Sequence, residues 1–248
     1  MKTVLITGAS SGIGKACSEK FASSGYQVVM CARRIDKLQS ICQEFPDKQT
    51  CIYQVDVCNK ENVESMFEDL KKKKITIDIV VNSAGLALGL DDIRDANTSD
   101  WDSMIDTNIK GLLYTTQEFL KQTNKGHVVN VGSIAGIYAY AKGTVYAATK
   151  SAVKFISDGL RKELVSNDIK ITNIQPGLVE TNFSNVRFNG DKKRAKDVYK
   201  GIQALTGDDI ANIVFYVVNT PEHVQITELT VMPLHQASVD TVYRSQDQ

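Results

Sequence analysis

Residues 3–14 read Thr-Val-Leu-Ile-Thr-Gly-Ala-Ser-Ser-Gly-Ile-Gly, an apolar run that passes directly into a glycine-rich segment. The apolar run predicts a strand, and the stretch from Lys15 to Ser23 predicts a helix. Gly8 allows a sharp turn after the strand, Gly12 allows a ligand to approach the backbone, and Gly14 allows close helix packing. Free N–H groups and the dipole at the helix N-terminus favour an anion such as phosphate. The segment therefore predicts the first strand, turn and helix of a nucleotide-binding fold.

Short apolar runs alternate with longer amphipathic runs to the end of the chain, which is typical of β-α-β units and a parallel sheet. We predict an α/β fold, a single Rossmann-like, doubly wound domain over residues 1–248, with about seven parallel strands flanked by helices. The two longest helices are predicted at 99–121 and 144–166. Residues 176–206 are polar and weakly periodic, which predicts a substrate-binding loop. The predicted strands are Thr3–Thr7, Gln27–Cys31, Thr50–Val55, Ile77–Asn82, His127–Gly132, Lys170–Gln175 and Thr227–Val231.

Composition and charge narrow the classes of partner. The 248 residues include 29 Lys and Arg and 29 Asp and Glu, so electrostatics give no case for a nucleic acid or an anionic membrane. No apolar run approaches the roughly 18 residues that a membrane span needs. The three histidines are scattered, so no metal site is predicted. No signal-peptide segment follows Met1, and the cysteines are odd in number without a CxxC pair, which predicts reduced thiols and a cytoplasmic location. They are Cys17, Cys31, Cys42, Cys51 and Cys58.

A tyrosine, a lysine and an upstream serine indicate the chemistry. Tyr146 and Lys150 are four residues apart in a predicted helix, so their side chains lie on one face. An ammonium at that spacing is expected to lower the Tyr146 pKa from about 10. Such a phenol can give its proton to a carbonyl oxygen or take one from an alcohol. Ser133 ends a predicted strand and adds a hydroxyl beside the same oxygen. With the glycine-rich turn, these residues predict hydride transfer with a tyrosine acid.

The end of the second predicted strand indicates the nicotinamide cofactor. A site for NAD has an acid about 20 residues past the glycines, where it holds the ribose hydroxyls. This chain has Ala32-Arg33-Arg34 there, and the first acid is Asp36. Two guanidinium groups suit a 2′-phosphate through bidentate pairing. The sequence therefore predicts NADP(H). The alternative is a pair of exposed arginines that open a helix at 35–42.

The chain resembles the short-chain dehydrogenase/reductase family over nearly its whole length. The family pattern TGxxxGxG is matched by Thr7–Gly14, and the NNAG element by Asn82–Gly85, with Ser83 in place of the second Asn. Pro176-Gly177 matches the Pro-Gly that follows the sixth strand. The family's catalytic set is matched by Asn108, Ser133, Tyr146 and Lys150.

Two further segments resemble the NADP-dependent 3-hydroxy acid dehydrogenases, also called serine or allo-threonine dehydrogenases. These segments are Leu86–Gly89 and Phe183–Asp191. The residue before Phe183 is Asn182, where those proteins tend to have Glu. The resemblance implies a homotetramer built through the two long helices, with the C-terminal segment at a second contact, although Val231–Leu234 in a monomer would simply cap the last strand.

The resemblance implies a role for each matched residue. Tyr146 is the acid and base, and Ser133 holds the substrate oxygen. Lys150 lowers the tyrosine pKa and grips the nicotinamide ribose. Asn108 supports a water that relays protons. Without that role, an Asn in the middle of a predicted helix would be an ordinary kink or capping feature. The residues expected to bind the cofactor are Gly8, Ser10, Ser11, Gly12, Ile13, Gly14, Arg33, Arg34, Asp56, Val57, Asn82, Ala84, Gly85, Tyr146, Lys150, Pro176, Gly177, Val179 and Thr181.

Arg187 is the candidate for holding a substrate carboxylate, because it lies between aromatic residues in the predicted loop and a buried carboxylate needs a partner. Pairing with Glu180 or Asp191, or contact with the cofactor, is the alternative. The leading function is an NADP-dependent dehydrogenase of small 3-hydroxy acids such as serine, allo-threonine or 3-hydroxyisobutyrate. A broad NADPH carbonyl reductase is the second candidate, and a non-catalytic NADP-binding sensor is the third. An acyl-carrier-protein ketoreductase is disfavoured because no basic docking patch is evident.

Overall fold

The computed structural model describes residues 1–45 and 50–245, so residues 46–49 and 246–248 of the predicted 1–248 domain lie outside the described part. It contains a seven-stranded, all-parallel sheet in the order β3-β2-β1-β4-β5-β6-β7. The predicted α/β, Rossmann-like fold is therefore confirmed. The strands are β1 Thr3–Thr7, β2 Gln27–Ala32, β3 Thr50–Gln54, β4 Ile79–Asn82, β5 Lys125–Val131, β6 Asp168–Pro176 and β7 Glu228–Val231.

Helices connect the strands and cover both faces of the sheet. Local signals fix several of their ends: Asn59 caps one helix by accepting from the Asn62 backbone, and Thr206 and Asp209 form a capping box at another. The helices are α1 Gly12–Ser23, α2 Ile35–Gln43, α3 Lys60–Lys72, α4 Thr98–Ile105, α5 Leu112–Leu120, α6 Thr144–Glu163, α7 Phe183–Arg187, α8 Lys192–Asp197 and α9 Gly207–Val218.

The core consists of two apolar layers, one on each face of the sheet. Val4 and Ile6 of β1 pack in the layer that α1 and α9 cover. Leu5 packs in the opposite layer, which α3 and α5 cover. Because both faces are covered, β1 is buried along its whole length and reads as a continuous apolar run. Within the described ranges, no helix combines the length and apolar character needed to cross a membrane.

The predicted helix at 99–121 is interrupted in the middle. A π-helical segment, Asp106–Gly111, joins α4 to α5 and contains Asn108. A Cβ at Gly111 would lie 2.7 Å from Cγ2 of Val57, so only glycine fits where this segment crosses the chain after β3. Single turns of π-helix often occur at functional sites. Apolar periodicity could not reveal this one because the segment is flanked by regular helix on both sides.

The predicted loop at 176–206 contains two short helices, α7 and α8. Asp191 starts α8 by accepting hydrogen bonds from the backbone of Lys193 and Arg194. The weak periodicity of the segment reflects the shortness of these helices, five and six residues. We call residues 177–206 the β6–α9 loop; its role in substrate binding stays a prediction.

Candidate active site

A cleft of about 660 Å³ opens at the carboxyl ends of the strands, beside the point where the strand order reverses between β1 and β4. This is the position where doubly wound sheets bind ligands, and the volume lies within the ~300–1,000 Å³ typical of ligand sites. Most of the predicted site residues line it. They are Gly8, Ser10, Ser11, Gly12, Ile13, Arg33, Arg34, Asp56, Val57, Ala84, Gly85, Ser133, Tyr146, Lys150, Pro176, Gly177, Val179, Thr181 and Arg187.

Three predicted residues lie behind the cleft wall. Gly14 packs against the turn, since a Cβ there would lie 2.5 Å from the Gly8 carbonyl oxygen. The Asn82 side chain is buried and donates to the Thr116 hydroxyl and to Asn130 Oδ1. Asn108 is 1% exposed.

The Asn108 side chain joins two walls of the site. Its Oδ1 accepts from the Leu86 backbone at 2.9 Å, and its Nδ2 donates to the Leu86 carbonyl at 2.9 Å and to Thr149 Oγ1 at 3.0 Å. Thr149 in turn donates to the Tyr146 carbonyl. The π-helical segment therefore ties the chain after β4 to the first turns of α6, where Tyr146 and Lys150 stand.

The glycine-rich turn has the geometry of an anion site. Gly8 and Gly12 have φ values of +65° and +55°, a region that favours glycine. A Cβ at Gly12 would lie 3.3 Å from the Thr181 side chain, so the turn faces the β6–α9 loop across a narrow gap. The Ser11 side chain, at the N-cap of α1, makes no capping hydrogen bond. The first N–H groups of α1 are thus available to a phosphate.

The two arginines after β2 stand at the rim of the cleft. Both are exposed, and Arg34 Nη2 donates to the hydroxyls of Ser10 at 2.9 Å and Ser11 at 3.0 Å. These contacts place a guanidinium beside the glycine-rich turn, and Asp36 already belongs to the first turn of α2. The rim is therefore cationic where an NAD site would present a carboxylate.

Tyr146 and Ser133 meet at the inner end of the cleft. Burial raises the pKa of the Tyr146 phenol to about 12, while a hydrogen bond with the Ser133 hydroxyl and the charge of Arg187 act in the opposite direction. The phenol is therefore protonated at neutral pH and can donate. Burial is the largest influence on this pKa in the structure, and the lowering of the Tyr146 pKa by Lys150 stays a prediction.

Lys150 is buried in the same wall, 7% exposed. Its Nζ donates to the Val131 carbonyl at 2.8 Å, which directs the ammonium to the end of β5. Burial lowers the pKa of Lys150 to about 8, because the charged form loses hydration. The charged ammonium therefore lowers the free energy of unfolding.

The depressed pKa predicts that the effect of replacing Lys150 on the free energy of unfolding depends on pH. The Lys150 pKa falls from 10.5 to about 8 on folding, so below pH 8 the charge is present in both states and the full cost is about 3 kcal/mol. Between pH 8 and 10.5 the unfolded chain keeps a proton that the folded protein loses, and wild-type stability rises. We expect the stability of Lys150→Met relative to wild type to be greater at pH 7 than at pH 9.5, whereas the loss of the bond to the Val131 carbonyl lowers the stability of the variant at both pH values.

Urea unfolding of both proteins at the two pH values measures this difference. Lys162→Met is the matched control, because Lys162 is an exposed lysine on the same helix. Its difference from wild type should be equal at both pH values. A Lys150→Met difference that is also equal at both would contradict a depressed Lys150 pKa. The raised Tyr146 pKa is common to all three proteins and cancels.

Arg187 reaches the cleft from the end of α7. Its Nε donates to the Gly89 carbonyl at 3.2 Å and its Nη2 donates to the Tyr140 hydroxyl at 2.8 Å. The guanidinium carbon lies 5.5 Å from the centre of the Tyr140 ring and 5.7 Å from that of Tyr146. Asp191, one of its predicted alternative partners, instead caps α8.

Several residues of the cleft were not found from the sequence. Tyr140, which the sequence did not single out, contacts the Tyr146 cluster. Phe183, which was predicted only as an aromatic residue flanking Arg187, does so as well, and its ring lies 5.7 Å from the Tyr146 ring. From the C-terminal segment, Gln236 accepts from the Leu178 backbone at 2.8 Å and Arg244 donates to the carbonyls of Val198 and Lys200. No spacing rule marks such residues, because they reach the site only through the tertiary fold.

Comparisons with known proteins agree with this geometry. The chain matches the family model for short chain dehydrogenase over residues 2–192. It is 42% identical over 238 residues to NADP-dependent 3-hydroxy acid dehydrogenase YdfG of Escherichia coli (strain K12), covering 94% of this chain and 96% of that protein. It is 38% identical over 237 residues to serine 3-dehydrogenase of Agrobacterium fabrum (strain C58), covering 95% of each.

Among solved structures, the chain is similar to a closed form of serine dehydrogenase complexed with NADP+. The TM-score is 0.93 and the sequence identity 41%, with 98% of this chain and 100% of that chain covered. A family match over most of the chain, relatives that it covers almost completely and a shared fold lead to one conclusion. The chain belongs to the short-chain dehydrogenase family.

Proposed function

We propose that this protein is an NADP(H)-dependent dehydrogenase that interconverts small 3-hydroxy acids and their carbonyl forms. The observation that carries the substrate class is the position of Arg187, next to Tyr146 and inside the cleft. A guanidinium has five N–H donors, and two of them are used by the Gly89 carbonyl and the Tyr140 hydroxyl. The remaining three can hold a carboxylate in the bidentate geometry that arginine favours.

The names of the relatives support the same class. The E. coli protein is described as an NADP-dependent 3-hydroxy acid dehydrogenase and the Agrobacterium protein as a serine 3-dehydrogenase. A serine or 3-hydroxyisobutyrate molecule carries a carboxylate and a hydroxyl a few bonds apart. Arg187 and the pair Ser133 and Tyr146 offer complementary groups for both ends.

The residues of the outer cleft fit NADP(H). The diphosphate would rest on the N–H groups at the start of α1, which Gly8 and Gly12 leave accessible. Arg33 and Arg34 would hold the 2′-phosphate, and Asp56 and Val57 would border the adenine. When bound, the cofactor supplies or accepts the hydride.

The chain's own residues handle the proton. In reduction, the protonated Tyr146 phenol gives its proton to the carbonyl oxygen as the carbon receives the hydride, which yields the alcohol. The Ser133 hydroxyl holds that oxygen. It also forms a hydrogen bond with the Tyr146 phenol, which becomes a phenolate when it gives up its proton. Lys150 stands one helical turn away and would contact the nicotinamide ribose. Arg187 fixes the far end of the substrate, so that the reacting carbon is aligned.

Removal of both guanidinium groups tests the cofactor choice. We expect Arg33→Ala combined with Arg34→Ala to raise the Michaelis constant for NADP about 10- to 100-fold, because charge-assisted bonds to a phosphate are lost. The constant for NAD should change little, since NAD lacks that phosphate. Lys37→Ala removes another exposed cation from α2 and should leave both constants unchanged. Equal wild-type efficiency with NAD and NADP would show that the arginines are merely surface residues.

Paired substrates test the substrate class. We expect initial rates of NADP reduction to be high with serine, allo-threonine or 3-hydroxyisobutyrate and at least tenfold lower in kcat/KM with their methyl esters, because only the acids offer Arg187 a charge. In the direction of carbonyl reduction, the neutral substrate for comparison is an uncharged diketone, which NADPH would reduce. Equal efficiency with acids, esters and diketones would instead identify a broad carbonyl reductase.

Assembly and location complete the proposal. We infer a homotetramer, supported by apolar side chains on the outer faces of the two long helical stretches, where Phe155 is 71% exposed and Leu113 is 39% exposed. Leu234, in the predicted C-terminal contact, is 92% exposed in the single chain. All five cysteines are free thiols, which supports a cytoplasmic location. Sedimentation equilibrium distinguishes a tetramer from a monomer.

A further inference from the structure

We propose that Tyr140 is a second carboxylate-binding residue and that its hydroxyl sets the preference for acids over neutral substrates. This inference rests on the proposed hydroxy acid function and deepens it. Tyr140 lines the cleft together with Tyr146 and Arg187. It comes from the segment between β5 and α6, so it approaches the substrate position from a different element than Arg187 does.

The Tyr140 ring is held in place on two sides. A Cβ at Gly143 would overlap the ring, so the absence of a side chain there provides the slot that the ring occupies. The turn is closed by the Gly143 N–H, which donates to the Tyr140 carbonyl at 3.2 Å. On its other side, the ring lies beside the Arg187 guanidinium, 5.5 Å from the guanidinium carbon.

The hydrogen bond with Arg187 determines what the Tyr140 hydroxyl can still do. Arginine has no acceptor, so the Tyr140 oxygen must accept the 2.8 Å bond from Nη2. The proton of the phenol then remains free. Across residues 1–45 and 50–245 this hydroxyl donates to no acceptor. The hydroxyl and the guanidinium thus present N–H and O–H donors side by side.

A carboxylate is the ligand that can accept from both the Tyr140 hydroxyl and the Arg187 guanidinium. It accepts only, on two oxygens, and can receive a bidentate pair from Arg187 or one bond from Arg187 and one from Tyr140. An ester or a ketone offers a weaker, neutral acceptor to the same donors. Because Arg187 lies 5.7 Å from the Tyr146 ring, the carboxylate and the reacting hydroxyl must belong to a short molecule. The substrate class is therefore a short-chain acid with its hydroxyl close to the carboxylate.

Tyr140→Phe removes the donor and keeps the ring. We expect the Michaelis constant for 3-hydroxyisobutyrate to rise about tenfold, because a hydrogen bond to a charged group is lost. Turnover at saturation should change less than threefold, and the constants for the methyl ester should stay within twofold. The inhibition constant of isobutyrate, which binds without reacting, should rise by the same factor as the Michaelis constant. Tyr138→Phe is the control, since Tyr138 is an exposed tyrosine of the same segment, and it should match wild type.

A second variant moves the ring without touching a polar group. Gly143 has φ −108°, so alanine suits the backbone, but its Cβ displaces the Tyr140 ring. We expect Gly143→Ala to show the same selective loss for the acid. In Gly143→Ala, the added change Tyr140→Phe should have less effect than it has in wild type.

The outcomes separate this inference from the proposed function. A selective loss for the acid in Tyr140→Phe supports it. A selective loss in Arg187→Met without one in Tyr140→Phe overturns the role of Tyr140 and leaves the hydroxy acid function standing. Equal losses on acid and ester in Tyr140→Phe overturn it as well, because they mark a structural role. No selective loss in either variant overturns both.

Discussion

Tyr146→Phe is expected to reduce turnover by about 10²- to 10⁴-fold while NADPH binding stays nearly intact. The variant removes only the hydroxyl that gives its proton to the carbonyl. The aromatic ring stays, and with it the packing against Phe183 and the contact with the Arg187 guanidinium. The phenol is protonated at neutral pH, and burial raises its pKa further, so the proton is present for reduction; the Ser133 hydroxyl is hydrogen-bonded to this phenol.

Turnover and cofactor affinity are measured separately, by steady-state rates and by fluorescence titration with NADPH. Ser133→Ala is the comparison, because it removes the neighbouring hydroxyl and leaves the proton donor in place. It should have a smaller effect on turnover than Tyr146→Phe. If the phenylalanine variant kept more than about a tenth of the wild-type turnover, Tyr146 would not be the acid.

Arg187→Met should reduce kcat/KM for serine or 3-hydroxyisobutyrate about 10²- to 10³-fold and barely affect a neutral alcohol or ketone. A charge-assisted, bidentate pair is lost, and a carboxylate in the closed site would then lack a partner. Methionine keeps much of the side-chain volume, so packing against the two tyrosine rings changes less than the charge does.

A second arginine of the same loop serves as the control for the specificity of this effect. Arg194 lies in the same loop, is exposed and stacks on Phe188 with 4.5 Å between its guanidinium carbon and the ring centre. Arg194→Met should leave the acid and neutral substrates alike unaffected. Equal losses on charged and neutral substrates in Arg187→Met would remove Arg187 from the substrate site and favour a general carbonyl reductase.

Local patterns in the sequence were sufficient for the sheet and for the frame of the site. β1 was predicted with its observed bounds because both of its faces are buried, and Tyr146 and Lys150 line one wall because a helix places residues four apart on one face. The ends of other strands were predicted less accurately. β5 and β6 begin earlier than predicted, because Lys125 and Asp168 pair across the sheet although both are polar.

The remaining features depend on contacts between distant segments. The π-helical turn at Asn108 fits around Val57, which follows a different strand. Tyr140 owes its position to Gly143 and Arg187 together, and no periodicity connects the three. The Tyr146 pKa follows from burial, which is a property of the assembled cleft, whereas the sequence revealed only the neighbouring lysine.

The hydrogen bonds between the C-terminal segment and the β6–α9 loop have a practical consequence for handling the protein. Gln236, Arg244 and Ser245 bond to the backbone of Leu178, Val198, Lys200 and Gly201. We expect an affinity tag or fusion partner joined at the C-terminal end to disturb these bonds, and with them the loop that carries Arg187, before it disturbs the glycine-rich turn. The start of β1 lies at the amino end of a central strand, whereas the cleft lies at the carboxyl ends of the strands, so the N-terminal end is the safer place for attachment.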